Sequence, residues 1–131
     1  MLFFKKQEAR SLGQMGEDLA VKYLEDKGYK ILDRNFCNTK GRRMGEIDII
    51  AQKEKEIVFV EVKTRELLVY DETLPEENIN RKKLHKMAKI ANFYIQKRDL
   101  WKNPYRFDAV SVWLNVPLKK AKIKHLESIF F

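Results

Sequence analysis

The sequence predicts a mixed α/β domain in which α-helices flank a sheet that combines an antiparallel meander with one parallel strand. The predicted elements follow the order helix, three strands, helix, two strands. Short connections between the first three strands favour antiparallel pairing. The second helix returns the chain to the sheet, and a right-handed crossover makes the next strand parallel to the third. A chain of 131 residues fits a single domain, 1–131, with its own core.

The first half of the predicted fold begins with a helix over Ser11–Lys27. Apolar residues recur there at helical spacing, and Gly28 is a natural stop. Alternating residues predict a strand over Tyr29–Phe36. The polar segment Cys37–Met44 is a loop that leads into the next strand.

A hairpin follows, with strands over Gly45–Gln52 and Ile57–Thr64 joined at the turn Lys53–Glu56. Isoleucine and valine dominate both strands, which is typical of buried sheet. The connection Leu67–Ile79 is polar and acidic, and no element is predicted for it.

The second half begins with a helix over Arg81–Lys97, for which Asn80 is the expected N-cap. A strand over Tyr105–Leu114 is expected to lie parallel to Ile57–Thr64. The last element is predicted as an edge strand over Lys122–Phe130.

The charge balance favours a polyanionic partner. There are 27 lysine and arginine residues against 19 aspartate and glutamate, a formal net charge of +8. Nucleic acid is the first candidate for so basic a domain, and anionic lipid is the second. The single cysteine, Cys37, excludes an internal disulfide and a zinc site built from several thiolates. The single cysteine suits a reducing cytoplasm, the apolar start of the chain is too short for a signal peptide, and no apolar run approaches a membrane span, so the protein is predicted to be soluble and cytoplasmic. No membrane partner is expected, because the sequence lacks an amphipathic anchor.

Charged residues interrupt the two strands of the hairpin: Asp48 in the first, and Glu61 and Lys63 in the second. If the turn has two or four residues, Gln52 faces Ile57 and Asp48 lies directly opposite Glu61. A turn of three or five residues would place the two carboxylates on different faces of the sheet. The even register is therefore the expectation that brings the two acids together.

Two opposed carboxylates repel each other in a strand pair of low dielectric, so their proximity favours a positive partner. One hypothesis is a hard divalent cation such as Mg²⁺, which takes carboxylate oxygens and keeps waters for a substrate phosphate. The other is a structural salt-bridge cluster in which Lys63 neutralises Glu46 and Glu61. These residues alone leave both hypotheses open.

Five segments, in order along nearly the whole chain, carry a resemblance to a known family. They are "GQMGEDLAVKYL", "GEIDIIA", "VFVEVKTR", "INRKKLHKMAKIANFYI" and "RFDAVSV". Together they resemble the bacterial YraN family of endonuclease-like proteins in the PD-(D/E)XK nuclease superfamily, which is similar to archaeal Holliday-junction resolvases. The resemblance implies a restriction-endonuclease-like fold.

The resemblance also implies a catalytic site. Asp48 and Glu61 match the metal-binding acids, and Lys63 matches the lysine that orients or activates the attacking water. Glu17, in the first helix, matches an acid that supports the metal site from outside the sheet. One departure is Ile47, which stands where the superfamily's name has proline. The implied cofactor is Mg²⁺ or Mn²⁺.

Two basic patches are candidate contacts to nucleic-acid phosphates. The first runs at helical spacing along the second helix, whose first turn crowds cations where the helix dipole disfavours them. Such crowding favours a docked anion, with Lys82 as the preferred phosphate contact. The members of this patch are Lys82, Lys86 and Lys89. The second patch lies in the loop before the hairpin and consists of Lys40, Arg42 and Arg43.

A few other residues carry expectations. Gly13 and Gly16 lie on one side of the first helix and weaken it, which favours close approach to a neighbour. His85 and His125 are isolated, so no metal role is expected for them. Asp108 matches a family segment, and hydrogen bonding at a strand end is expected. The aromatic residues expected in the core or an interface are Tyr94, Trp101, Trp113, Phe130 and Phe131.

The preferred hypothesis is a metal-dependent nuclease or nuclease-like DNA-binding protein that acts on DNA, ahead of RNA, in processing, repair or recombination and hydrolyses phosphodiester bonds. The alternative is a non-catalytic nucleic-acid-binding module that retains the nuclease fold. A homodimer is compatible with either hypothesis.

Overall fold

The part of the chain that the structure describes forms a six-stranded sheet with one helix against each face. The computed structural model describes residues 2–3, 10–38, 45–67 and 81–129. The elements in chain order are β1 (Leu2–Phe3), α1 (Leu12–Asp26), β2 (Lys30–Phe36), β3 (Ile47–Lys53), β4 (Glu56–Glu66), α2 (Arg81–Lys97), β5 (Tyr105–Asn115) and β6 (Lys120–Leu126). The mixed α/β class is therefore confirmed.

The strand order across the sheet is β1-β6-β5-β4-β3-β2. Strands β4 and β5 are parallel, with Ile57 paired to Tyr105 and Thr64 paired to Val112. All other neighbouring strands are antiparallel. The predicted meander and the parallel strand after the crossover helix are both confirmed.

The prediction that the last strand lies at the edge of the sheet is wrong. The outer side of β6 pairs with β1, through Leu2 with Ala121 and Phe3 with Lys120. Strand β1 has only two residues, which is too short to show alternation, so no periodic pattern in the sequence predicts it. The predicted strand also ran too far, because β6 ends at Leu126.

Both predicted helices are confirmed, and a capping box fixes the start of α1. The Ser11 hydroxyl accepts a hydrogen bond from the Gln14 N–H, and the Gln14 side chain accepts one from the Ser11 N–H. Asn80, the expected N-cap of α2, lies outside the described residues. Most of the connection Leu67–Ile79 lies outside them as well.

Two apolar clusters fill the two faces of the sheet, which are named here after the helix that packs on each. On the α1 face, Ala20 and Leu24 pack against valines of β4 and β5. On the α2 face, Ile90 and Tyr94 pack against Phe59 and its neighbours. Side chains along β4 therefore alternate between the two clusters, as expected for a strand that is buried on both sides.

The aromatic predictions have different outcomes. Tyr94 and Trp113 are buried, whereas Trp101 is 68% exposed and therefore lies outside the core. An interface position for Trp101 stays a prediction. Phe130 and Phe131 lie outside the described residues. Within the described part of the chain, the helices lack the length and apolar character needed to cross a bilayer.

Candidate metal centre

The hairpin of β3 and β4 has the predicted even register. The turn residues are Glu54 and Lys55, with Glu54 at φ 55°. Gln52 pairs with Ile57, and the ladder continues to Ile49 opposite Val60. The convergence of Asp48 and Glu61 on one side of the sheet is confirmed, because both line the same cleft.

The alternation of side chains along β3 is broken near Asp48, and the Asp48 carboxylate hydrogen-bonds to the backbone of β4. Ile47 and Ile50 both pack in the α2-face cluster, although three positions apart on a regular strand point to opposite faces. Asp48 Oδ2 accepts a hydrogen bond of 2.8 Å from the Val62 N–H. The backbone of β4 thereby fixes the position of this carboxylate.

Asp48 lies in a cluster with two other carboxylates, those of Glu17 and Glu46. One oxygen from each residue lies within 4.8 Å of the others. Asn35 on β2 joins the cluster, because its Nδ2 donates to Glu17 Oε2 at 3.1 Å and to Glu46 Oε1 at 3.3 Å. We call Glu17, Glu46 and Asp48 the carboxylate cluster.

The carboxylate cluster matches the expectation in part and extends it. The structure brings Glu17 and Asp48 together, as the resemblance implied, and adds Glu46, for which the sequence had suggested only an ion pair with Lys63. Asn35 adopts φ 51°, a conformation that asparagine tolerates better than most residues. This local geometry follows no periodic pattern, so only the structure reveals the amide between the two glutamates.

The electrostatics of the cluster favour a positive charge. Burial raises the pKa of Asp48 to about 8, and the nearby charges of Glu61 and Glu17 contribute further to the increase. The hydrogen bond from the Val62 N–H lowers the pKa of Asp48, but by less than burial and the neighbouring charges raise it. Without a cation, ionisation of Asp48 is therefore opposed by its surroundings.

Glu61 has a different environment, because two lysines pair with it. Glu61 is only 6% exposed. Its Oε1 lies 3.5 Å from Lys63 Nζ and 2.5 Å from Lys83 Nζ. The ion pair with Lys63 was predicted by the salt-bridge hypothesis, whereas the ion pair with Lys83 was not predicted. The contact with Lys83 depends on how α2 lies over β4.

The two lysines affect each other. Burial lowers the pKa of Lys63, and the neighbouring Lys83 lowers it further, while Glu61 opposes the decrease. For Lys83, burial disfavours the charged form, but hydrogen bonding to Glu61 and Lys63 and the charges of Glu61 and Asp48 together outweigh it, and the pKa is raised. Lys83 is thus the cation that Glu61 stabilises more strongly.

A cleft of about 510 Å³ lies between the carboxylates and α2. Its acidic side includes Glu46, Asp48 and Glu61, and its basic side is formed by three lysines of α2. These lysines are Lys82, Lys83 and Lys86. Lys89 is exposed on the same helix but does not line the cleft. The loop residues Lys40, Arg42 and Arg43 lie outside the described residues.

The position of α1, and hence of Glu17, depends on Gly16. A Cβ atom at Gly16 would lie 1.9 Å from Thr64 Oγ1, so no larger residue fits between α1 and β4 without displacement. The predicted close approach is confirmed for Gly16. It is wrong for Gly13, where a Cβ would meet only Ser11 Oγ at 4.0 Å.

The donor set fits a hard divalent cation. The carboxylate cluster offers three oxygen ligands, from α1, from β3 and from the residue directly before β3, and Mg²⁺ and Mn²⁺ are bound by such oxygens. The raised pKa of Asp48 agrees with this fit, because a bound cation would favour the ionised carboxylate. Glu61 is available nearby once Lys83 moves away.

A second polar network lies on the α1 face, around Asp108. This fully buried carboxylate accepts hydrogen bonds from Arg106, from the Ser128 N–H and from His125 Nε2, the last at 2.7 Å. Hydrogen bonding by Asp108 is thus confirmed, although Asp108 lies within β5 and not at its end, and His125 is not isolated. His125 Nδ1 also lies 3.3 Å from the Tyr23 hydroxyl. The network connects α1, β5 and β6 and has a structural role.

Comparisons with known proteins identify the family of the chain. A model of the family described as "Uncharacterised protein family UPF0102" matches residues 16–112, a region that includes Glu17, Asp48, Glu61 and Lys63. The UPF0102 protein of Persephonella marina is 43% identical over 118 residues, covering 90% of this chain and 91% of that protein. The UPF0102 protein of Caldanaerobacter subterraneus subsp. tengcongensis is 41% identical over 128 residues, covering 96% and 99%. The chain belongs to the YraN-like UPF0102 family.

Proposed function

We propose that this protein is a metal-dependent nuclease of the PD-(D/E)XK superfamily that hydrolyses phosphodiester bonds in DNA. One observation carries the proposal: Glu46 and Asp48 of the carboxylate cluster, together with Glu61, line one cleft with three lysines of α2. Carboxylates hold a divalent cation, and lysines hold the phosphates of the same substrate. A purely structural ion-pair cluster does not require the two kinds of charge to line an open cleft.

Each residue has a defined part in this proposal. Glu17, Glu46 and Asp48 hold Mg²⁺ or Mn²⁺, with Asn35 and the Val62 N–H fixing their positions. When bound, the cation supplies charge that polarises the scissile phosphate and lowers the pKa of a coordinated water. Glu61 completes the acidic wall of the cleft.

The lysines provide the remaining functions. Lys63 Nζ is held 3.5 Å from Glu61, next to the cleft, where an ammonium can orient a water toward a phosphate. Burial and Lys83 lower the pKa of Lys63, which eases loss of its proton to a neighbouring group. Lys82 and Lys86 bind phosphates next to the scissile bond.

One observation favours the alternative, a nucleic-acid-binding module without catalysis. Glu61 already has two cationic partners, Lys63 and Lys83, so a part of the acidic wall is neutralised without a metal. In that case the cleft would bind the nucleic-acid backbone, and the carboxylates would only position the lysines.

A cleavage assay separates the two functions. Labelled linear, single-stranded and four-way DNA substrates are incubated with Mg²⁺ or Mn²⁺, and parallel reactions contain EDTA or the Lys63→Ala variant. The proposal predicts cleavage of at least one substrate that requires the metal and is abolished in Lys63→Ala. Binding of these substrates without metal-dependent cleavage would support the binding module instead.

A further inference from the structure

Lys83 differs from the two other lysines of α2 that line the cleft. Lys82 and Lys86 are exposed, whereas Lys83 is partly buried. The Lys83 ammonium lies 2.5 Å from Glu61 Oε1. Lys86 follows Lys83 by three positions, so both side chains project from the same side of the helix. Lys83 therefore belongs to the basic side of the cleft by its position on α2, and it contacts the acidic side through its ammonium.

The ion pair between Lys83 and Glu61 neutralises a carboxylate that is hardly accessible to water. Glu61 is 6% exposed, and Lys63 lies 3.5 Å from the same carboxylate oxygen. Departure of Lys83 would leave Glu61 with one cation fewer, and removing a partner from a buried charge is costly. A phosphate that enters the cleft must therefore compete with Glu61 for Lys83, and it competes poorly as long as Glu61 has no replacement cation.

A divalent cation at the carboxylate cluster would reverse this competition. Glu61 and Asp48 line the same cleft, and the two carboxylates are close enough for the charge of one to act on the other. A cation held by Asp48 therefore also attracts Glu61, and it repels the Lys83 ammonium. Because a lysine carries its charge on a flexible four-carbon stem, Lys83 can then turn toward an anion elsewhere in the cleft.

We propose that Lys83 is a phosphate-binding residue that changes partners. It pairs with Glu61 in the metal-free protein, and it contacts a phosphate of the nucleic acid when a divalent cation is bound at the carboxylate cluster. The exchange keeps both charges paired, because Glu61 gains the metal as Lys83 gains the phosphate. Metal and nucleic acid therefore each favour binding of the other, and this coupling is reciprocal. The inference rests on the proposed function and adds a substrate contact to it, with the condition under which that contact forms.

The test compares the salt dependence of DNA binding in EDTA and in Mn²⁺. Lys83→Met removes the ammonium and keeps most of the apolar length of the side chain. Lys82→Met is the matched control, because Lys82 lines the same cleft but is exposed. Fluorescence anisotropy measures the affinity for a phosphorothioate duplex, which resists cleavage, over a range of salt concentrations. Each phosphate that a lysine neutralises contributes near 0.9 to the salt slope.

The contribution of Lys83 to the salt slope should depend on the metal. We expect Lys83→Met to have the wild-type slope in EDTA and a slope lower by about 0.9 in Mn²⁺. Lys82→Met should lower the slope by about 0.9 under both conditions. Mn²⁺ should also strengthen DNA binding several-fold more in wild type than in Lys83→Met. A slope of Lys83→Met that equals wild type under both conditions, or falls equally under both, would contradict the exchange.

A second measurement needs no variant. Mass spectrometry follows the rate at which a lysine-specific reagent acetylates Lys83 in EDTA, in Mn²⁺, and in Mn²⁺ with the duplex. The exchange predicts slow modification in EDTA, faster modification in Mn²⁺ alone, and slow modification again with the duplex, while exposed Lys22 on α1 reacts at one rate throughout. In a protein that binds both ligands, a Lys83 rate that does not respond to Mn²⁺ would show a permanent structural ion pair and overturn the inference. If the wild-type protein binds neither Mn²⁺ nor nucleic acid, the proposed function itself fails.

Discussion

The Lys83 ammonium lies 2.5 Å from Glu61 Oε1, so a lysine of α2 pairs with the buried acid of β4 from across the cleft. This ion pair keeps one carboxylate of the candidate site neutralised while no metal is bound. A cation entering the cleft must compete with Lys83 for the negative charge of Glu61. The pair therefore links the position of α2 to the charge state of the metal centre.

Replacing Lys83 by methionine removes this competing charge and should tighten Mn²⁺ binding several-fold. The metal-free variant should also be destabilised by about 1 kcal/mol of unfolding free energy, a small value because Lys83 is 33% exposed and partly screened by solvent. Titration calorimetry and thermal melts measure the two effects. Lys89→Met is the control, since Lys89 lies on the same helix outside the cleft lining. Weaker Mn²⁺ binding in Lys83→Met would show that Lys83 supports the metal site.

Gly16→Ala should separate α1 from β4 and displace Glu17 from the carboxylate cluster. The added Cβ would lie 1.9 Å from Thr64 Oγ1 on a β-branched side chain that cannot move aside easily. We expect a decrease of about 1–3 kcal/mol in unfolding free energy and weaker Mn²⁺ binding. Gly13→Ala should instead stabilise the helix by about 1 kcal/mol and leave Mn²⁺ affinity unchanged. Equal stability of Gly16→Ala and wild type would contradict the close contact.

Changing Lys82 and Lys86 to alanine should weaken binding to all DNA sequences alike, because phosphate contacts carry no sequence information. The salt slope should fall by about 2, since each phosphate neutralised by a lysine contributes near 0.9. Fluorescence anisotropy with two unrelated duplexes at several salt concentrations measures both quantities. An unchanged affinity and slope would place the path of the nucleic acid away from α2.

Asp108→Asn should destabilise the fold without affecting the metal centre. Asp108 is fully buried, and although burial disfavours its ionised form, hydrogen bonds from His125 and Arg106 outweigh this and lower its pKa. The stabilisation by ionised Asp108 is present above the ordinary aspartate pKa of about 4 and disappears as the pH falls through the lowered value. We expect the variant to be less stable by about 3–5 kcal/mol near neutral pH, measured by urea denaturation. The Mn²⁺ affinity of the folded variant should match that of wild type. A large decrease in affinity would show that the network around Asp108 contributes to the metal centre.

The sequence predicted those parts of the site that depend on periodic patterns. Alternation along β3 and β4 and the length of their turn determine the register, so the convergence of Asp48 and Glu61 was predictable. Helical spacing was sufficient to locate α1 and α2. The lysines of the first turn of α2 were recognised as unusual because the helix dipole disfavours cations there.

The remaining parts depend on contacts that no local pattern encodes. Asn35 reaches Glu17 and Glu46 because its backbone adopts a left-handed conformation at one position of β2. Lys83, rather than its neighbour Lys82, pairs with Glu61, and this contact depends on how α2 packs over β4. The pairing of His125 with Asp108 joins two strands whose register a single sequence does not reveal.

The stability of the metal-free protein should depend on pH through Asp48, whose pKa is raised to about 8. Between about pH 4 and 8 the folded protein retains a proton on Asp48 that the unfolded chain has released, so stability falls as the pH rises through this window. At pH values above the raised pKa of Asp48, this decrease in stability is complete. Asp48→Asn has no carboxylate at this position and should lack this part of the pH dependence, which urea denaturation across the window measures.

Thermal melts of wild type and Asp48→Asn at about pH 8, each in EDTA and in Mn²⁺, test the metal centre most directly. In EDTA the variant should melt higher, by about 3–5 °C for each kcal/mol of repulsion relieved. Mn²⁺ should raise the wild-type midpoint and leave that of the variant nearly unchanged, because a ligand stabilises only the form that binds it. A variant that melts lower than wild type in EDTA, with no response to Mn²⁺ in either protein, would contradict the metal centre and leave a structural salt-bridge cluster in its place.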